Sequence, residues 1–89
     1  EIIRLQFSEH RFPYVTTKAI HHSQRIVDSE NRIIEIVVIP NKELESLILS
    51  FGKDVEVLSP ASFRERIKNV IRETYQNYFS VQNNCTESQ

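Results

Sequence analysis

The stretch over residues 43–60, ELESLILSFGKDVEVLSP, constrains the fold more than any other part of this chain. Leu44, Leu47, Ile48 and Phe51 stand at i, i+3, i+4 and i+7, the spacing of one helical stripe. Gly52 follows at once. It is the only glycine in the sequence, and it stands where a helix most often needs positive φ in order to stop. Val55 and Val57 then alternate with Asp54 and Glu56, the period of a half-buried strand. The connection Gly52-Lys53 is too short to let the chain wander, so helix and strand must pack on each other with Phe51 at the corner. The unit settles architecture and carries no chemistry of its own.

The flanking segments supply the other elements. Ile3, Leu5 and Phe7 alternate with Arg4 and Gln6, which predicts a strand with one apolar face. Ser8 or Glu9 can start the next element, and Pro13 suits the first turn of a helix over residues 12–20. Residues 22–27 read as a second strand, polar enough for an edge. Asp28-Ser29-Glu30-Asn31 follows as a turn, with Asn31 able to take positive φ. Residues 32–39 form a third strand, rich in isoleucine and interrupted only by Glu35, which predicts a central strand covered on both faces or nearly so. Pro40 stops it and Asn41 caps the next helix, whose first turn holds Glu43 and Glu45. Ser59-Pro60 opens a last helix, with Phe63, Ile67, Val70, Ile71, Thr74 and Tyr78 on its inner face.

The order is β-α-β-β-α-β-α. The fold class is α+β: a ferredoxin-like, four-stranded antiparallel sheet with an added C-terminal helix, its first and third strands central. At 89 residues the chain is one domain, expected over 1–79, burying roughly 60–65% of its unfolded surface, with a flexible tail over 80–89. The absence of methionine and the immediate start on a strand lead to the expectation that this is the last domain of a longer protein. A single cysteine, Cys85, rules out an internal disulfide and leans towards a reducing compartment. No apolar run approaches the ~20 residues of a membrane span.

Chemistry is sparse. Net charge is −1 and the pI about 6.3, which removes the electrostatic footprint of a nucleic-acid binder. The same fold order builds the RNA-recognition motif, but the third strand has no aromatic on which a base could stack. His21 and His22, read as strand neighbours, should face opposite ways and share no metal. With one glycine a phosphate-cradling loop is nearly excluded, and no nucleophile elbow or catalytic triad order is present. The expectation is no enzyme, no cofactor and no metal. Tyr75, Tyr78 and Phe79 form an aromatic cluster. It reads as helix packing or, more sharply, as a subunit or domain contact.

Three pieces in order carry a family resemblance: Val15 with Ile20-His21-His22-Ser23-Gln24, then LILSFGKDVEVLSP over residues 47–60, then Phe63-Arg64 and the helix to Tyr78. Together they resemble the C-terminal extension, WCX, of bacterial WYL-domain transcriptional regulators. Ile20 stands where that family often has Trp, His22 where it often has Pro, and Phe63 where it usually has Leu. The resemblance implies a cytoplasmic parent with an N-terminal winged helix-turn-helix domain that binds DNA and a central WYL domain as the proposed sensor of nucleotides or single-stranded nucleic acid. This domain comes last, helping the parent to homodimerise. On that reading His21, Ser23, Gln24 and Arg25 are candidate effector or domain contacts, against the plainer role of satisfying backbone groups. An alternative with the same fold order is a small-molecule-binding domain of the ACT type. That type places a glycine turn between first strand and first helix, where this chain has Ser8-Glu9-His10-Arg11.

Overall fold

The computed structural model describes residues 1–84, with side chains through Phe79. Among these residues the elements are β1 (Ile2–Phe7), α1 (Phe12–Thr17), β2 (Arg25–Asp28), β3 (Ile33–Val37), α2 (Lys42–Ser50), a 3-10 turn (Gly52–Asp54), β4 (Val55–Ser59) and α3 (Ala61–Asn84). The strands form one antiparallel sheet in the order β2-β3-β1-β4, so β1 and β3 are central and β2 and β4 are edges.

Alternation sorts the two faces. Ile3 pairs with Ile36 and Leu5 with both Ile34 and Val57, so these side chains share one face. Val15 of α1, Ile48 of α2, and Phe63 and Ile67 of α3 join them with Phe7 in a single core. The three helices therefore all lie against this face. The other face carries Arg4, Gln6, Glu35 and Val37, and no helix covers it among the described residues. That corrects the expectation of a third strand covered on both sides or nearly so. Ile34 and Ile36 are buried, but Val37 is exposed, and so is Ile39 beyond the strand end. The apolar run of residues 32–39 mixes one buried face with one open one.

The central unit forms as its sequence requires. Asn41 is extended and accepts the Leu44 N–H at 2.8 Å, capping α2. Gly52 takes φ +60° and ends the helix. Phe51 at the corner packs edge to face on Phe7. The strand end and the corner are also tied through Asp54, whose carbonyl accepts the Ser8 N–H and whose carboxylate accepts the Ser8 hydroxyl.

Three local details differ from expectation. α1 stops at Thr17 rather than at residue 20, because Thr16 and Thr17 turn their hydroxyls back onto the Pro13 carbonyl, the local competition that weakens helices at threonine. β2 starts at Arg25 rather than at residue 22, since the Gln24 N–H closes a turn onto the His21 carbonyl. Positive φ in the β2–β3 turn falls on Arg32, not Asn31. Asn31 is instead engaged through both its N–H and its side-chain amide by the Asp28 carboxylate.

α3 departs most from expectation. Twenty-four residues at 1.5 Å per residue make about 36 Å of helix, against roughly 17–20 Å for strands of five or six residues. Its second half has no sheet to lie on. Phe63 and Ile67 are buried, whereas Ile71 and Tyr78, placed on the inner face by spacing, are exposed. The helix runs through Asn84, into the stretch 80–89 expected to be a tail; residues 85–89, including Cys85, lie outside the described residues.

Candidate functional site

Three places hold side chains that could do something other than fill the core. The first is the α1–β2 connection, which contains His21, Ser23 and Gln24. Gln24 spans the loop: its amide N–H donates to the Val15 carbonyl at 2.7 Å, and its amide oxygen accepts the Ile20 N–H at 3.0 Å. Ser23 stands in for a strand residue, its hydroxyl accepting the Val37 N–H at 2.8 Å. The Ser23 N–H donates to His21 Nδ1 at 3.1 Å, with the two side chains 2.7 Å apart. Ser23 and Gln24 thus satisfy backbone groups where the chain turns towards the edge strand. The turn also brings the His21 and His22 rings together, with centroids 4.2 Å apart and planes tilted by 31°. They do not sit on opposite faces as strand neighbours would. Among the described residues no three His, Cys, Asp or Glu side chains cluster as metal ligands do.

Arg25 belongs to the second place, the open face of the sheet. In the strand register Glu35 lies between Arg4 on β1 and Arg25 on β2. Arg25 Nε donates to Glu35 Oε1 at 2.6 Å, and Arg4 Nε to Oε2 at 3.2 Å. Glu35 is only 5% exposed, while both arginines reach solvent. The hydrogen bond from Arg25, supported by that from Arg4, holds the Glu35 carboxyl below the ordinary glutamate range against the opposing effect of desolvation. The row was legible in principle: the one charge in β3 stands opposite a basic residue on each neighbouring strand, but only the register reveals it.

The third place is the outer half of α3. Ile71, Tyr75, Tyr78 and Phe79 are 53%, 61%, 76% and 53% exposed. Their spacing of four, three and one puts them on one side of the helix, and Tyr75 and Phe79 pack edge to face at 4.9 Å. Ile71 also lines an apolar groove of about 450 Å³ between α2, β4 and α3, with Leu49, Val55 and Ile67 among its walls and Lys53 and Lys68 beside them. Of the residues singled out by sequence, the structure thus gathers Tyr75, Tyr78 and Phe79 on one exposed face. It holds His21, Ser23 and Gln24 in one loop and directs Arg25 to the sheet.

The connection from β1 to α1, where an ACT-type ligand turn would lie, is occupied by its own bonds. The Arg11 N–H donates to Ser8 Oγ at 3.1 Å, and the Arg11 guanidinium lies over the Tyr14 and Phe51 rings.

The sequence has a counterpart among known families. Residues 1–75 match the model of the WCX domain. The chain belongs to the WCX domain family. No curated protein and no solved structure matches it. The match covers the whole sheet of this WCX domain and α3 as far as Tyr75, so Tyr78 and Phe79 lie beyond it. Among the described residues no helix of the WCX domain is long and apolar enough to cross a membrane.

Proposed function

We propose that this WCX domain is the non-catalytic C-terminal regulatory module of a cytoplasmic DNA-binding transcriptional regulator, and that it acts by contact. Its partners are a second copy and the WYL and winged-helix domains that precede it in the parent chain, DNA being bound by the winged-helix domain. The strand order β2-β3-β1-β4, with all neighbours antiparallel, supports a ferredoxin-like scaffold for that role.

The observation that carries the proposal is the outer face of α3. Four large side chains, Ile71, Tyr75, Tyr78 and Phe79, stand more than half exposed along one side of a helix among the described residues. Aromatic residues that combine area with a polar tip are enriched at subunit contacts. A two-fold pairing of this face removes on the order of 1,000 Å² of surface, the threshold of a specific contact. Effector sensing falls to the loop of His21, Ser23 and Gln24 and to Arg25 beside it.

The test is sedimentation of the chain over a wide concentration range, with Tyr75→Ser/Tyr78→Ser alongside. The expected result is a monomer–dimer equilibrium that the double variant shifts to monomer. A wild-type chain that stays monomeric at high concentration overturns the role given to α3. In the parent regulator, deletion of this domain should weaken dimerisation or effector response.

A further inference from the structure

We infer that Arg4 and Arg25 form a binding site for a phosphate group on the open face of the sheet. The site deepens the effector reading given above for Arg25, on which it rests, and lies on the sheet face opposite α3.

Glu35 takes one hydrogen bond from each arginine, and each arginine gives it Nε alone. Among the described residues the Nη groups of both guanidiniums make no hydrogen bond, so each arginine keeps donors that Glu35 does not use. The side chains of Arg4 and Arg25 are half or more exposed, which leaves those donors within reach of a solute. A free arginine on a sheet would sample many rotamers. These two are tethered at Nε by a carboxylate that is itself buried, so part of the ordering cost of binding is already met in the empty site.

The register sets the spacing. Arg4 and Arg25 stand on the strands either side of β3, both directly opposite Glu35. Two strand separations put their backbones about 10 Å apart, and the shared carboxylate draws both heads inward over β3. The row carries two positive charges and one negative, a net attraction for anions. A carboxylate, with two coplanar oxygens, fills one guanidinium fork. A phosphate carries oxygens in tetrahedral array and can meet forks arriving from two sides. Ile2 and Val37, one pleat away and exposed, supply an apolar floor for whatever the phosphate is attached to. The lack of aromatics on this face removes base stacking, so the phosphate is the part recognised.

A phosphate monoester and the diester of a nucleic-acid backbone share this chemistry, and the probes separate them. The chain is titrated with inorganic phosphate, dimethyl phosphate and acetate at constant ionic strength, and the arginine Nε–Hε resonances are followed by NMR. The expected result is a saturable shift of the Arg4 and Arg25 signals with phosphate and a weaker or absent one with acetate. Saturation by dimethyl phosphate as well assigns the site to a diester; a response to inorganic phosphate alone assigns it to a monoester. Arg4→Gln and Arg25→Gln should each weaken binding about tenfold, the scale of one lost charge-assisted hydrogen bond. Arg25→Lys, which keeps the charge and loses the fork, should weaken it nearly as much, while Arg72→Gln on α3 leaves it unchanged. No saturation by either phosphate, or equal binding by Arg25→Lys and wild type, overturns the inference. Either result leaves the sedimentation test of α3 standing, because that experiment reads the other side of the sheet.

Discussion

Phe51 meets Phe7 edge to face, with ring centroids 5.5 Å apart and planes at 85°. The contact joins the last turn of α2 to the end of β1, two segments far apart in sequence. It is the point at which the helix–glycine–strand unit is fastened to the central strand. Phe51→Ala should cost about 2–3 kcal/mol, below the usual range for a fully buried phenylalanine because Phe51 is only partly buried. Phe51→Leu, which keeps most of the apolar volume, should cost about 1 kcal/mol. Urea unfolding of the three proteins measures both. A loss for Phe51→Ala no larger than for an exposed substitution removes the corner from the account of stability.

Gly52 poses a narrower question. Its φ is +60°, and a Cβ placed there meets nothing within 4 Å. The obstacle to any other residue is therefore backbone strain, with no clash to add to it. Gly52→Ala should cost about 1 kcal/mol, and Gly52→Asn clearly less, since asparagine tolerates this conformation. Thermal unfolding of the pair decides the matter. Equal losses would point to a steric cause that the geometry does not contain.

Much of this fold can be read from local pattern. The capped α2, the glycine stop and the alternating β1 and β4 follow from spacing within a few residues, and the central place of β1 and β3 from the order of the elements. The parts that escape depend on partners distant in sequence. Glu45 looks like a first-turn acid favoured by the helix dipole. In the structure it is buried and accepts Arg66 Nε at 2.5 Å, tying α2 to α3. Glu35 looks like an interruption in an apolar strand, yet it is the centre of the Arg4–Arg25 row. Gln24 looks like a polar loop residue and proves to bridge Val15 and Ile20. The inner face of α3 was legible to Ile67 and no further, because helical spacing says which residues share a side, not how far the sheet beneath them extends.

The Glu35 row makes stability depend on acid. Its carboxyl titrates lower in the folded chain than in the unfolded one, chiefly through the hydrogen bond from Arg25. The unfolded chain therefore binds more protons in the acid range, and stability rises with pH there. The contribution is complete above the unfolded value of about 4.3. It disappears as pH falls through the lower folded value. Glu35→Gln should accordingly show a shallower loss of unfolding free energy than wild type between about pH 5 and pH 3. Asp28 is held low as well, first by its bond from the Asn31 side chain, so Asp28→Asn is the companion measurement. Identical slopes for wild type and Glu35→Gln would show that the arginines gain nothing from its charge.

Ile67 and Tyr75 lie on one side of α3, eight residues apart, and should behave as opposites. Ile67 is 5% exposed and packs in the core with Phe63 and Val57, whereas Tyr75 is 61% exposed and outside that core. Ile67→Ala should cost about 2–4 kcal/mol through lost burial and the cavity left behind. Tyr75→Ala in the monomer should cost within about 0.5 kcal/mol, as surface substitutions do. Unfolding at micromolar concentration tests the monomer. Repeating it at a hundredfold higher concentration adds the second half of the argument. If the outer face of α3 pairs with another copy, wild type gains stability by mass action and Tyr75→Ala does not. A Tyr75→Ala loss that is large and independent of concentration would mean that the residue serves its own fold, and the face would no longer be a candidate for contact.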